Sequence, residues 1–266
     1  MDPDAPLKHQ LYLKLTAGIS LLEDLDFWLG YSQDVHNDFT TKRRSDSALP
    51  RVRSEVNRYL TQGESGFDYV YLEWRRSVTP EVHLRGYGGL LEQMFAGVGS
   101  EVLWESFGSR LAFGANLNWV QQRAYEKNFS LRDYQTLTGH FSIFYASPWN
   151  NLDFGIHVGR FLAGDRGVTY EARRTFDNGF AIGAFFTKTN VSAAEFGEGS
   201  FDKGLYLKLP FNFFTRGNSR DSYKTIIRPT ERDGGRRLEG FAGELWWDRR
   251  SVRFDSLWRQ KGLMQL

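Results

Sequence analysis

The sequence predicts an all-β fold, an antiparallel up-and-down transmembrane β-barrel of about fourteen strands (roughly twelve to sixteen), and three observations carry that expectation. Every segment readable as a strand alternates apolar with polar or tiny residues, no segment shows a convincing amphipathic helical period, and no stretch approaches the roughly 18 to 20 consecutive apolar residues of a spanning helix. Alternation gives a sheet one greasy face and one wet face. With no helices to cover the greasy face, a barrel that turns it outward to lipid satisfies both faces at once.

The elements follow in order. Strands are expected at about 9–20, 25–36, 66–76, 81–90, 98–106, 110–122 and 133–146, and then at about 152–163, 167–176, 180–189, 203–211, 222–228, 237–248 and 251–260. In the third, Tyr69, Tyr71, Glu73 and Arg75 share the wet face beside Val70, Leu72 and Trp74. The fourth sets His83, Arg85 and Tyr87 against Val82 and Leu84. In the sixth, Leu111, Phe113, Ala115, Leu117 and Trp119 oppose Ala112, Gly114, Asn116 and Asn118. The seventh turns Phe141, Ile143 and Tyr145 outward and His140 and Ser142 inward. The same period of two recurs in Leu152/Phe154/Ile156/Val158, in Phe180/Ile182/Ala184/Phe186 and in Leu205/Leu207/Leu209.

The connections alternate in kind. Tight turns fall at Val78-Thr79-Pro80, Gly108-Ser109, Pro148-Trp149-Asn150-Asn151, Asp177-Asn178-Gly179 and Arg249-Arg250. Asn178-Gly179 is a strong hairpin signal because both central positions take positive φ. Longer connections fall on the other rim, near 37–65, 91–97, 123–132, 190–202 and 229–236, as up-and-down order requires. Chain ends of bacterial outer-membrane barrels normally lie in the periplasm, which puts the tight turns outside and the long loops inside.

Composition narrows the function classes. The 266 residues fit one β-barrel domain over 1–266, with 27 glycines and an aromatic fraction of 16% suited to many tightly turned strands. The net charge of +2, from 34 basic and 32 acidic residues, argues against a nucleic-acid partner, which demands a basic stripe. Zero cysteines exclude disulfides, thiolate metal sites and cysteine nucleophiles. No histidine cluster has metal-ligand spacing, so neither a metal nor a cofactor is expected. Met1 is followed by Asp2-Pro3-Asp4-Ala5-Pro6, without a basic n-region or apolar h-region, so the expectation is a removed signal or a piece of a longer chain.

Distinctive words lie mainly on the long-loop rim. They are Asp46 to Ser54 (DSALPRVRS), Leu91 to Leu103 (LEQMFAGVGSEVL), Phe196 to Gly204 (FGEGSFDKG) and Arg232-Asp233-Gly234-Gly235, with Thr138-Gly139-His140 and Gly159 to Asp165 (GRFLAGD). Through these words, over about residues 46–240, the chain resembles the YjbH (GfcD-like) family of bacterial exopolysaccharide and capsule secretion proteins. The resemblance implies the C-terminal barrel region of an outer-membrane protein, with polysaccharide, outer-membrane lipid and periplasmic export proteins as partners. It supplies no catalytic residue.

The candidate functional residues are therefore polar groups of the lumen or its mouth: Glu198, Asp202, Lys203, Arg232 and Asp233 on the glycine-rich loops, and His83, Arg85 and Tyr87 on the wet face of the fourth strand. One reading has them contact a passing glycan, with arginine forks on hydroxyls and aromatic rings on sugar faces. The other has them form a charged lock that closes the pore. Either way the chain acts as a conduit or scaffold without bond chemistry. Two alternatives compete: a soluble β-sandwich or lipocalin-like binder, which also alternates, and an outer-membrane hydrolase built on His140 and Ser142, which the inward direction of that pair disfavours.

Overall fold

The computed structural model describes residues 9–39, 48–176, 178–192, 201–210, 222–229 and 232–253. Twelve strands form one antiparallel sheet in which each pairs with the next along the chain. They are β1 (Gln10–Leu22), β2 (Leu25–Asn37), β3 (Gly66–Ser77), β4 (Val82–Leu90), β5 (Phe95–Glu105), β6 (Leu111–Arg123), β7 (Leu131–Ala146), β8 (Leu152–Arg160), β9 (Arg166–Thr175), β10 (Ala181–Thr189), β11 (Asp202–Pro210) and β12 (Ser222–Ile227). Among the described residues two short helices accompany them, α1 (Val56–Gln62) before β3 and α2 (Leu245–Arg249) after β12, the latter continued by a 3-10 turn over Arg250–Val252.

Alternation in sequence becomes alternation in exposure. Along β6, Leu111, Leu117 and Trp119 are exposed while Ala112, Gly114, Asn116 and Asn118 are buried. The outward apolar run from Leu111 to Trp119 covers roughly 26 Å along the strand. Inside, His83, Arg85, Asn118, His140, Ser142, Asp153, His157, Thr169 and Glu171 are all buried. The polar face is thus the concave one. The sheet curls far enough that Arg75 of β3 and Lys224 of β12 both reach the same carboxylate, Asp248, at 3.2 and 3.5 Å. No pairing joins β1 to β12 among the described residues, so the sheet is not closed there.

The stretch expected as a strand at 237–248 is not one. Gly235, Gly240 and Gly243 take φ of +72°, +77° and +79°, left-handed values that fold the chain back repeatedly and forbid an extended run. The segment 232–253 instead enters the concave side and packs against the wall there. Of the stretch expected at 251–260, only 251–253 are described, and 254–260 lie outside the described residues.

Two apolar clusters record this packing. At the long-loop end, Leu238 and Phe241 pack with Val52, Tyr59, Leu91, Met94, Phe95, Val120 and Leu162. Deeper, Leu245 and Trp246 pack with Leu103, Ala112, Phe144 and Ala146, the Trp246 ring lying 4.8 Å from Phe144 and nearly parallel to it.

Glycines permit the tightest approaches between strands. A Cβ on Gly159 of β8 would lie 2.0 Å from the Gly139 carbonyl oxygen of β7, and one on Gly167 of β9 would lie 2.1 Å from the Lys188 oxygen of β10. Both obstacles are backbone, which cannot rotate away. Gly159→Ala should therefore destabilise the fold by about 1 to 3 kcal/mol, read as a lower midpoint in thermal unfolding, whereas Ala at Gly108, which has no neighbour within 4 Å, should show only the smaller backbone cost of its φ of +78°.

Candidate functional site

The interior site is built from the inner wall and the segment 232–253 that occupies it. The polar wall residues sit on inward positions of their strands, and several reach that segment. Arg85 donates to the Gly240 carbonyl (2.9 Å) and also pairs with Glu73 on β3. Tyr87 donates to the Phe241 carbonyl (2.6 Å). Glu101 of β5 accepts the Leu245 N–H (3.0 Å), and Glu171 of β9 accepts the Trp247 indole N–H (2.8 Å). Near the tight-turn rim, Glu105 binds Arg249 (3.0 Å) and Arg253, and Asp153 binds Arg250 (3.1 Å). The segment is a plug whose arginines meet wall carboxylates.

At the opposite rim a second set of contacts fixes where the plug enters. The fully buried Asp233 carboxylate accepts the Arg53 and Ser54 N–H groups at 2.8 and 2.9 Å and the Ser54 hydroxyl at 2.7 Å. Arg53 in turn holds Glu92 through both guanidinium nitrogens. Asp165 accepts the Gly235 N–H at 2.8 Å, and burial pushes its carboxyl above the usual aspartate range. Beside α1, burial acts to raise the Glu55 carboxyl, but the Tyr125 hydroxyl and the charges of Arg132 and Arg58 outweigh it and hold it below the usual glutamate range.

The residues expected from sequence divide between these two ends. Arg85 and Tyr87 grip the plug. His83 lies at the tight-turn rim, 2.8 Å from the Ser77 hydroxyl and 3.3 Å from Glu105. Asp202, Arg232 and Asp233 all lie at the long-loop rim: Asp202 lies 3.7 Å from Arg228 and 3.9 Å from Arg236, which also donates to the Arg232 carbonyl, while Asp233 binds the Arg53 loop. Lys203 does not join them; it is exposed, with its ammonium over the Phe201 ring. Glu198 lies outside the described residues.

Sequence reasoning missed one arrangement. Ser142, His157 and Glu171 form a chain across β7, β8 and β9, with Ser142 Oγ 2.7 Å from His157 Nδ1 and His157 Nε2 2.9 Å from Glu171 Oε1. Because an ionised carboxylate only accepts, His157 donates through Nε2 and its Nδ1 accepts the serine proton. The serine's partner is thus across the hairpin, in register with it, and not His140 two residues away. Counting register outward from the Pro148 to Asn151 turn finds the pair. The triad is sealed: all three groups are buried, Phe144 and Trp247 cover them, and Gly243 approaches so closely that a Cβ there would lie 3.0 Å from the imidazole. The arrangement ties three strands to the plug through Trp247 and Arg237. Among the described residues no group of His, Asp and Glu is placed to hold a metal ion.

Two outcomes follow for the rim. Asp233→Ala leaves two buried backbone donors without an acceptor and should lower stability by about 2 to 3 kcal/mol in denaturant unfolding. Glu55 contributes stability that is complete above the ordinary glutamate value of 4.5 and is lost as pH falls through its lower folded-state value. The difference in thermal midpoint between the unmodified protein and Glu55→Gln should accordingly be present at pH 7 and vanish under acid conditions.

Comparison with known proteins agrees with this architecture's sequence signature. Residues 1–247 match the YjbH family model, described as "Exopolysaccharide biosynthesis protein YbjH". The protein named "Uncharacterized lipoprotein YjbH" of Escherichia coli (strain K12) is 36% identical over 202 residues, covering 74% of this chain and 29% of that relative. The chain thus spans less than a third of the length of the curated relative it matches. Because the family model matches residues 1–247, the chain belongs to the YjbH family, which is linked to exopolysaccharide biosynthesis.

Proposed function

We propose that this chain takes part in exopolysaccharide export as a single outer-membrane β-barrel domain that serves as a conduit or scaffold and performs no bond chemistry. The observation that carries this reading is the inversion of the sheet: apolar residues are exposed on the convex face, while charged residues are buried on the concave one. Leu117, Phe141 and Val158 are each about half exposed, on adjacent strands of that convex face. A soluble sandwich or lipocalin-like binder buries the alternating apolar face, the opposite arrangement. The outward run on β6 also matches the roughly 25 Å apolar band of a membrane barrel. The family description and the name of the lipoprotein relative support an envelope setting.

In this reading β1 and β12 come together in the membrane, because an open edge exposes unpaired backbone groups that hydrocarbon does not satisfy. The β12 edge and β3, two strands in from the β1 edge, already converge on the plug through Asp248. Periplasmic export proteins dock on the long-loop rim, where Asp233 holds the plug to the loop at Arg53 and Ser54.

Phe141 pairs with Ala115 at the middle of the outward run, so Phe141→Arg should cost about 2 to 4 kcal/mol of folding stability in lipid vesicles. The unmodified protein should need detergent for purification, migrate differently on detergent gels before and after heating, and be required for polysaccharide secretion by cells. A monomer that stays folded without detergent, or full secretion in its absence, overturns the proposal.

A further inference from the structure

The plug does not fill the lumen evenly. Its contacts through Gly240, Phe241, Leu245, Trp247 and Arg250 all go to the β4–β9 side of the wall. On the other side Asp248 and Glu239 reach across to β3, β12 and Arg228, and a cavity of about 690 Å³ remains between the plug and the flank formed by β2, β3, β11 and β12. That volume lies within the usual range for small-ligand sites.

Its lining has two components. Three aromatic side chains, Trp28 of β2, Tyr71 of β3 and Tyr206 of β11, border it from different strands. Between them stand charges already matched in sign: Arg53 holds Glu92, Arg228 holds Glu239, and Arg75 and Lys224 share Asp248. With Glu73 and Glu244, the lining carries four cations against five carboxylates. A near-neutral set of this kind attracts neither a polyanion nor a polycation. The charges prevent the cavity from taking a lipid chain, because burying an acyl group there strands paired ions without water. What the set does offer is a dense array of donors and acceptors beside aromatic faces, which suits a neutral polyhydroxylated chain: hydroxyls bond to the carboxylates and guanidiniums while the C–H faces of the sugar rings lie against the aromatics.

We propose that this cavity is a binding groove for a stretch of uncharged oligosaccharide. The inference rests on the export reading only for where the sugar comes from; binding itself is a property of the cavity.

The test is titration of the full chain in detergent, monitored by calorimetry, with neutral oligosaccharides of glucose, galactose, mannose and rhamnose, with polygalacturonate fragments, with chitosan fragments and with an uncharged peptide. Heat-modifiable migration establishes that each variant is folded. At least one neutral oligosaccharide should bind and both charged ones should not. Trp28→Ala and Tyr206→Ala should weaken that binding about ten-fold each, while Tyr206→Phe, which keeps the ring, should retain most of it. Asp248→Asn leaves Lys224 without its carboxylate and Arg75 with Glu73 alone, so the variant should gain affinity for polygalacturonate. Tighter binding of polygalacturonate or chitosan by the unmodified chain overturns the inference. So does preference for the peptide, neutral-sugar binding that survives both alanine variants, or no sugar binding at all. Secretion is scored separately: a chain that binds sugar as described but is dispensable for secretion refutes the export reading alone, and one required for secretion that binds no sugar refutes the groove alone.

Discussion

Carboxylates on the concave face of a curled sheet set the terms for everything else in this molecule. Glu73, Glu101, Glu105, Asp153 and Glu171 are all buried there, and an ionised carboxylate out of water is tolerated only with cations and donors against it. Arg85 answers Glu73 and Glu101 from within the wall. The others depend on the plug: Glu105 on Arg249 and Arg253, Asp153 on Arg250, and Glu171 on Arg237 and the Trp247 indole as well as its own neighbour Arg173. Such pairs add little net stability compared with an apolar core, yet separating one is costly because it leaves the partner charged and dry. They fix where the plug lies far more than how tightly the chain folds.

The lopsided lumen follows from that placement. The carboxylates that need arginine or indole lie on β5, β8 and β9, so the plug is drawn to that side. The stacking of Trp246 on Phe144 and the second apolar cluster add burial in the same direction. Opposite, Asp248 makes only two partly exposed ion pairs, with Arg75 and Lys224. The space beside β2, β3, β11 and β12 is what the charge pattern leaves over. The Ser142–His157–Glu171 chain belongs to the same logic, since its carboxylate end is where Trp247 and Arg237 anchor the plug.

Twelve of the expected strands were legible because a period of two needs no tertiary information: Leu111 to Trp119 or Phe154 to Val158 announce their faces in the residues themselves. The inward direction of His83, Arg85 and Tyr87 was legible for the same reason. What alternation conceals is what a wet face touches. A strand was expected over 237–248, and the glycines Gly240 and Gly243, left-handed in the fold, were the local signal against it. Asp233 was recognisable as a loop carboxylate, but its acceptance of the Arg53 and Ser54 amides joins positions about 180 residues apart, which no local pattern encodes. His157 is the intermediate case: its strand was identified, yet its link to Ser142 emerges only when the hairpin register is counted.

The plug follows β12 in the chain, and its contacts with the wall span 144 to 155 residues at Glu105, Glu101, Phe241 and Gly240. Contacts of such separation form late, because the intervening chain must first be ordered. During synthesis and folding, then, the acidic wall exists before the plug arginines that neutralise it. Until the plug docks, the concave face is a wet, negatively charged trough that water and counterions must occupy. Entry of the plug expels them from the β4–β9 side, so the dry part of the interior is an outcome of assembly order as much as of composition.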